Sequence, residues 1–524
     1  MAEVKLNEVF TKPYNKDDER QMAKEEKKIS IAGHIKSNIR SEMVQACLNI
    51  YRSEYKLLKI FSFLFVTIAV SIAAYMIIGT FLQYFKYDVS TTTRTIFETP
   101  APFPKVTICS NNQFQTEYAI NFLKEINQEV SPNISIFDLN QIQNMSYGNL
   151  SYLLTKISMI GTSRMNTDLT DAQKMNLSHS LEDILISCYF NNIQCSSNDF
   201  SWIFDRYYGN CYTFNSGFNM TGDAIPSKKS YISDLNYGLM LQMYTGFHEN
   251  LTLINTIDSG YGLVVRVENG TYLEHNFDGV KVSSGFQTDI NINRRFESYL
   301  EKPYSNCDLP NDEQKNFNSD LYNLIYYSSY QYNQHICLLQ CFQKLSIRYC
   351  NCTTPLLFSL YNATICNTIN DLNCIEATLE NHFMSNNYIN EQCMPLCPLE
   401  CNTTEIKHSI TSFELATDLF VYYILERPSL KRDFITKPIT RDEIKNSIAL
   451  VNIFYDSLSY KESTETPQMD VIALFGAIGG NMGLFLGVSL FTFGELLTLA
   501  IELHFILKKN SKTGQITVFS TKDT

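Results

Sequence analysis

The sequence predicts an α+β membrane protein in which two membrane-crossing helices bracket a large, disulfide-rich, mixed α/β domain. Three observations carry this prediction. The 524-residue chain has two long apolar stretches, one towards each end. Of its 15 cysteines, only Cys47 lies outside the region between them. All of its N-x-S/T sequons fall in that same region.

The first stretch runs from Ile60 to Phe85 without a charge, between Lys59 and Lys86. Its roughly 26 residues reach about 39 Å as a helix, enough to cross a hydrocarbon core of about 30 Å with some tilt. It follows about 59 mostly polar residues, which is not the layout of a cleaved signal peptide, so it reads as a retained signal anchor.

The second stretch, Met469 to Leu507, is about 37 residues and about 55 Å long, too long for one straight span. It must tilt, protrude or break. It carries Gly476, Gly479, Gly480, Gly483 and Gly487, then Ser489, Glu495 and Glu502. Glycines four apart let backbones approach closely, and carboxylates in hydrocarbon are costly unless they face water or protein. The stretch therefore reads as the lining of a pore. Close packing of two spans would explain the glycines alone. On a regular helix Glu495 lies about 80° round from Gly487, and Glu502 nearly in line with Glu495, so both can reach one aqueous path. The other reading places both acids beyond the hydrocarbon, beside Lys508 and Lys509.

Orientation follows from Arg52, Lys56 and Lys59 before the first stretch and Lys508, Lys509 and Lys512 after the second, since basic flanks favour the cytoplasm. The sequons at Asn133, Asn144, Asn149, Asn176, Asn219, Asn250, Asn269, Asn351, Asn362 and Asn402, and an even set of cysteines, place the middle outside the cell. The predicted parts are a cytoplasmic tail (1–59), a first transmembrane helix (60–85), an extracellular domain (86–468), a pore-lining second transmembrane helix (469–507) and a cytoplasmic tail (508–524). The expected location is the plasma membrane, with the lipid bilayer as a partner. Residues 1–59 carry about 12 basic and 9 acidic groups and residues 508–524 about 4 and 1, so the middle holds about −18 against a whole-chain −12. Such a domain concentrates cations near its surface, or is merely kept soluble. Nothing points to a nucleic-acid partner.

Residues 1–59 read as a largely flexible tail, with helical spacing from Ser41 to Lys59 leading into the first span. In the middle region, Glu117–Asn127 and Leu177–Phe190 have helical periodicity. Asp320–Tyr349, Tyr-rich and free of Pro, reads as one long helix. Gly262–Glu268 and Ala449–Tyr460 read as strands of a central sheet. No nucleophile elbow, zinc helix or phosphate loop is present, so an enzyme is not expected. Cys393, Cys397 and Cys401 sit at a spacing that could suggest metal, but an oxidising compartment favours disulfides, and no metal site is expected.

Several blocks resemble the degenerin/epithelial sodium channel superfamily. They are Phe103-Pro104-Lys105-Val106-Thr107-Ile108-Cys109-Ser110-Asn111-Asn112, Tyr208-Gly209-Asn210-Cys211-Tyr212-Thr213-Phe214-Asn215-Ser216-Gly217 and Gly285-Phe286-Gln287-Thr288. Cys350-Asn351-Cys352, Cys393 to Cys401 and Gly479-Gly480-Asn481-Met482-Gly483-Leu484-Phe485-Leu486-Gly487-Val488-Ser489 follow in the family's order. The resemblance implies a hand-like fold of palm sheet with finger and thumb helices, and a trimer of identical or related subunits. It implies the bridges Cys109–Cys211, Cys188–Cys195, Cys307–Cys401, Cys337–Cys397, Cys341–Cys393, Cys350–Cys374 and Cys352–Cys366. Each would restrict the unfolded chain by roughly 2–4 kcal/mol.

The resemblance further implies a sodium-selective, amiloride-sensitive cation channel, with permeant Na⁺ and no cofactor. Gly487-Val488-Ser489 stands where relatives carry a Gly-x-Ser selectivity sequence in a broken second span. Unwound carbonyls are tolerable in a membrane where they face water or ions. Many members have Ala or Ser in place of Val488, which leaves the degree of Na⁺ selectivity open. Gly476 aligns with the family's degenerin position at the outer pore mouth, and Ala477 stands in place of an Asp common in acid-sensing members. In the N-terminal tail, Gly33 and His34 stand for the family's His-Gly gating pair in inverted order. Leu177 to Leu185 is closest in look to the peptide-gated and epithelial branches, which favours an extracellular neuropeptide as gating ligand, its pocket unassigned. A constitutively open or acid-gated member of the same family is the alternative. A non-conducting two-anchor surface receptor is the alternative of a different class.

Overall fold

The computed structural model describes residues 55–245, 262–268, 279–308, 319–328, 330–384, 387–415, 418–425, 447–487 and, singly, Gly494, Leu497, Thr498, Ile501, His504 and Phe505. The chain divides into two compact units, Met1–Ser90 with Pro467–Thr524, and Thr91–Thr466.

The described elements follow in chain order. Helix α1 is Lys56–Tyr84. After it come strands β1 (Val89–Phe97) and β2 (Lys105–Ser110), then helices α2 (Glu117–Val130) and α3 (Tyr147–Thr167). Strands β3 (Leu185–Phe190), β4 (Ile193–Gln194), β5 (Phe200–Asp205), β6 (Gly209–Phe214) and β7 (Leu239–Tyr244) come next. They are followed by β8 (Gly262–Glu268), β9 (Val280–Ser283) and β10 (Phe286–Ser298). Helices α4 (Asp320–Tyr326), α5 (Gln334–Cys350) and α6 (Ile369–Thr378) precede β11 (Asn402–Glu414), β12 (Ile448–Pro467) and helix α7 (Val471–Leu486).

In the larger unit a seven-stranded sheet has the order β11-β10-β12-β7-β3-β4, with β1 also on β12. A five-stranded antiparallel sheet has the order β9-β8-β2-β6-β5. β10 and β12 run parallel, and the β11–β10, β12–β7, β7–β3 and β3–β4 pairs antiparallel. The two sheets share one core, in which Val106, Ile108, Phe214, Leu263 and Val265 of one meet Leu241, Ile290, Val451 and Ile453 of the other. Side chains of this size contribute about 1.5–3 kcal/mol each on full burial. β6 is buried at all six positions, so both of its faces are covered. A second core joins α2, α3, α5 and α6 through Leu123, Ile126, Ile157, Ile160, Phe342, Leu372 and Ile375. A third joins α4 and α5 to Cys393 and Cys397.

Two helical expectations need correction. The expected helix Asp320–Tyr349 is broken into α4 and α5. Ser328 donates its hydroxyl to the Ile325 carbonyl at 2.6 Å, and Asn333 accepts from the His335 and Ile336 amides at 2.8 and 3.4 Å. These short polar side chains compete for the backbone and end one helix before starting the next. The expected helix Leu177–Phe190 is helical only over Leu181–Ile184, started by a capping box between Ser180 and Asp183. Leu185–Phe190 is a strand whose side chains alternate between half-buried and buried, the period of two that a sheet imposes. The expected helix at Glu117 and strand at Gly262–Glu268 are present, and the strand expected at Ala449–Tyr460 extends to Pro467.

Seven disulfides are formed: Cys109–Cys211, Cys188–Cys195, Cys307–Cys401, Cys337–Cys397, Cys341–Cys393, Cys350–Cys374 and Cys352–Cys366. They are the pairs that the family resemblance implies. Helix α5 carries three of the half-cystines, Cys337, Cys341 and Cys350, so one rod of 17 residues is fastened at both ends.

Candidate functional site

Among the described residues, α1 is the one helix long and apolar enough to cross a membrane; α7 is apolar but has 16 residues. The two pack against each other within the smaller unit. Each has a single described residue that is buried, Ala73 in α1 and Leu474 in α7. Asp470 caps the start of α7, its carboxylate accepting from the Ala473 amide at 2.6 Å.

Three glycines of α7 pack against nothing among the described residues. A Cβ added at Gly476, Gly479 or Gly480 would meet nothing within 4 Å. Gly483 is also exposed. A face of small residues open along about two helical turns is available to water, ions or another chain.

α7 ends at Leu486. Gly487 follows in the left-handed region at φ +62°, and its amide reaches back to the Gly483 and Met482 carbonyls. This is a glycine C-cap, the conformation in which a Cβ is penalised by about 1–2 kcal/mol. Gly494, Leu497, Thr498, Ile501, His504 and Phe505 are again helical. The regular helix that starts at Val471 is therefore interrupted at Gly487. Val488, Ser489, Glu495 and Glu502 lie outside the described residues, as do Gly33 and His34.

One arrangement in the larger unit was not singled out from the sequence. Arg294 on β10 is buried, its Nη1 2.6 Å from Glu98 Oε2 and its Nη2 3.4 Å from the Leu458 carbonyl. Its guanidinium carbon lies 5.3 Å from the ring centres of both Tyr455 and Tyr460. Those two tyrosines flank a bulge: Ile292 pairs with Tyr455, but Arg294, two residues on, pairs with Tyr460, five residues on. The bulge lies in β12, the strand that precedes α7 in the chain. The adjacent arginines Arg294 and Arg295 were the available signal. In the five-stranded sheet, Arg266 Nη1 meets Asp205 Oδ2 at 2.9 Å with both side chains almost fully buried. The other oxygen of Asp205 accepts from the Tyr207 and Tyr208 amides at 2.8 and 2.9 Å.

Eight of the ten sequon asparagines are described. Asn133, Asn144, Asn149, Asn176, Asn351, Asn362 and Asn402 are exposed, and Asn219 is half-buried in its own turn. No cluster of side chains able to hold a metal ion occurs among the described residues.

The family model described as amiloride-sensitive sodium channel matches residues 43–499. The bile acid-sensitive ion channel of Mus musculus is 25% identical over 456 residues, 86% of this chain and 83% of that protein. Acid-sensing ion channel 1 of Gallus gallus is 23% identical over 425 residues, 80% of this chain and 74% of that protein. The degenerin-like protein unc-105 of Caenorhabditis elegans is 24% identical over 343 residues, 64% of this chain and 36% of that protein. A cryo-EM structure of a proton-activated chloride channel superposes on 84% of this chain and 97% of its own with a TM-score of 0.27 and 5% identity, too loosely to bear on the fold.

Proposed function

The chain belongs to the amiloride-sensitive sodium channel family, within the degenerin/epithelial sodium channel superfamily, and from that premise we propose that it forms a sodium-selective, amiloride-sensitive plasma-membrane channel opened by an extracellular ligand. The pore is lined by α7 of three identical or related subunits, with both termini in the cytoplasm and residues 86–468 outside. The observation that carries the reading is the interruption at Gly487 in an otherwise apolar helix. Where such a helix breaks inside a membrane, the freed carbonyls need water or ions. Carbonyls at the break and the Ser489 hydroxyl replace part of the hydration shell of Na⁺. The unfilled faces of Gly476, Gly479 and Gly480 support the same reading, because they leave room for a narrow axial path.

An amidated neuropeptide is the ligand class favoured by the look of Leu177 to Leu185. The relatives named for bile acid and for acid sensing supply the two competing stimuli. The test is voltage clamp of cells expressing the chain, with amidated peptides, bile acids and acid applied in turn, Na⁺ replaced and amiloride added. A Na⁺-dependent, amiloride-blocked current is expected. Its absence under every stimulus, and also with Gly476→Phe or with Gly476→Cys carrying a bulky thiol adduct, would favour the non-conducting receptor.

A further inference from the structure

Asn351 sits where helix α5 ends, at φ +57°, between two half-cystines, Cys350 bound to Cys374 and Cys352 bound to Cys366. It opens the sequon Asn351-Cys352-Thr353. Eleven positions on, Asn362-Ala363-Thr364 forms a second sequon inside the same Cys352–Cys366 loop. The fold treats the two differently. Thr353 is 1% exposed. Its amide donates to the Thr364 carbonyl at 2.8 Å, its hydroxyl to the same carbonyl at 3.3 Å, and its own carbonyl accepts from Cys366 at 2.9 Å. Asn362 and Thr364 both remain exposed.

An N-glycosyltransferase reads the asparagine together with the hydroxyl two residues on, in a chain free to adopt the acceptor conformation. Once the loop closes, the Thr353 hydroxyl is buried and already bonded, so the folded chain presents no acceptor at Asn351. The Asn351 side chain itself is exposed, so a sugar attached earlier is compatible with the fold. We propose that Asn351 is a glycosylation site controlled by closure of the Cys352–Cys366 disulfide, whereas Asn362, in the same loop, is open before and after closure. The inference rests on the extracellular placement of residues 86–468 under the proposed function.

The two competing reactions are distinct. In one, Asn351 Nδ2 attacks the anomeric carbon of a lipid diphosphate-linked oligosaccharide. The new C–N bond replaces the C–O bond to the diphosphate, which departs, and the amide loses one proton. In the other, the Cys352 and Cys366 thiols lose two protons and two electrons to a protein disulfide of the secretory lumen, which becomes a dithiol. The pair is only 14 residues apart, so it can close soon after Cys366 enters the lumen. That short interval sets how much of the chain is modified at Asn351.

The experiment measures glycan occupancy at each sequon by mass spectrometry on newly made full-length chains, harvested before quality control can remove misfolded ones. Occupancy at Asn351 is expected to be partial. It should rise when a membrane-permeant reductant is present during synthesis, and rise equally with Cys366→Ser, while Asn362 stays unchanged. Occupancy at Asn351 that is complete or nil, and indifferent to both treatments, overturns the proposal while glycans elsewhere uphold the extracellular placement. Glycans at none of the sequons overturns both.

Discussion

Arg294 and Glu98 form an ion pair at 2.6 Å that fastens the residue after β1 to β10, opposite the bulge in β12. The guanidinium also fills the space between Tyr455 and Tyr460, so its loss uncovers two rings as well as one carboxylate. Glu98 is partly solvated, which limits the penalty of leaving it alone. Arg294→Ala is expected to cost about 1–3 kcal/mol, and Glu98→Gln less, because it keeps a hydrogen-bonding group of the same shape. The single tryptophan, Trp202 on β5, reports unfolding of the detergent-solubilised protein by its fluorescence. Equal stability of wild type and Arg294→Ala would remove the pair from the account.

Asp205 is held more deeply. Its replacement by Ala removes the buried carboxylate that faces Arg266 Nη1 and the oxygen that accepts from the Tyr207 and Tyr208 amides. Breaking a buried pair from one side costs about 3–5 kcal/mol. The expected outcome is retention inside the cell, measured as a fall in the surface-biotinylated fraction. Normal surface delivery of Asp205→Ala would show that the sheet tolerates the loss of this carboxylate.

Tyr455 gives the larger unit an alkaline limit. Burial pushes its phenol up from an ordinary value of 10.0 to about 12; nearby Arg294 opposes the rise and Glu98 adds to it. Its hydroxyl donates to the Pro102 carbonyl at 2.6 Å. The unfolded chain loses this proton near pH 10 and the folded chain near pH 12, so between them the unfolded state holds fewer protons and stability falls as pH rises. Below pH 10 the contribution is fully present. Tyr455→Phe is expected to flatten the decline between pH 10 and 12, read by Trp202 fluorescence. An unchanged slope would assign the alkaline loss to other groups.

Gly487→Ala is expected to resist the left-handed turn at φ +62° by about 1–2 kcal/mol, favouring continuation of the helix. Gly487→Asn, which tolerates that region better, should retain more function. The measurement is the relative permeability of Na⁺ and K⁺ from reversal potentials. Identical selectivity in all three proteins would separate the helix break from ion choice.

Much of this was legible because the signals were local or carried by covalent chemistry. The uncharged run from Ile60 declared a helix by length alone, and the cysteine order, read through the family resemblance, named every bridge now seen. The glycine at 487 marked the place where helix α7 ends in a left-handed turn. What escaped notice depends on distant partners. Leu185–Phe190 looked helical until β7 supplied its pairing, and the run from Asp320 hid a break made by Ser328 and Asn333. The Arg294 arrangement joins residues 98, 294, 455, 458 and 460, a set that no sequence window contains.

A Cβ at Gly476 meets nothing within 4 Å among the described residues, so a side chain can leave the backbone there without a clash at its first atom. The decisive measurement is the reversal potential of Gly476→Phe under voltage clamp as external Na⁺ is exchanged for a large organic cation. A standing inward current that reverses at a more negative voltage after the exchange is the predicted result. No current, or a reversal potential indifferent to Na⁺, in cells that carry the protein at their surface would contradict a sodium path along this helix.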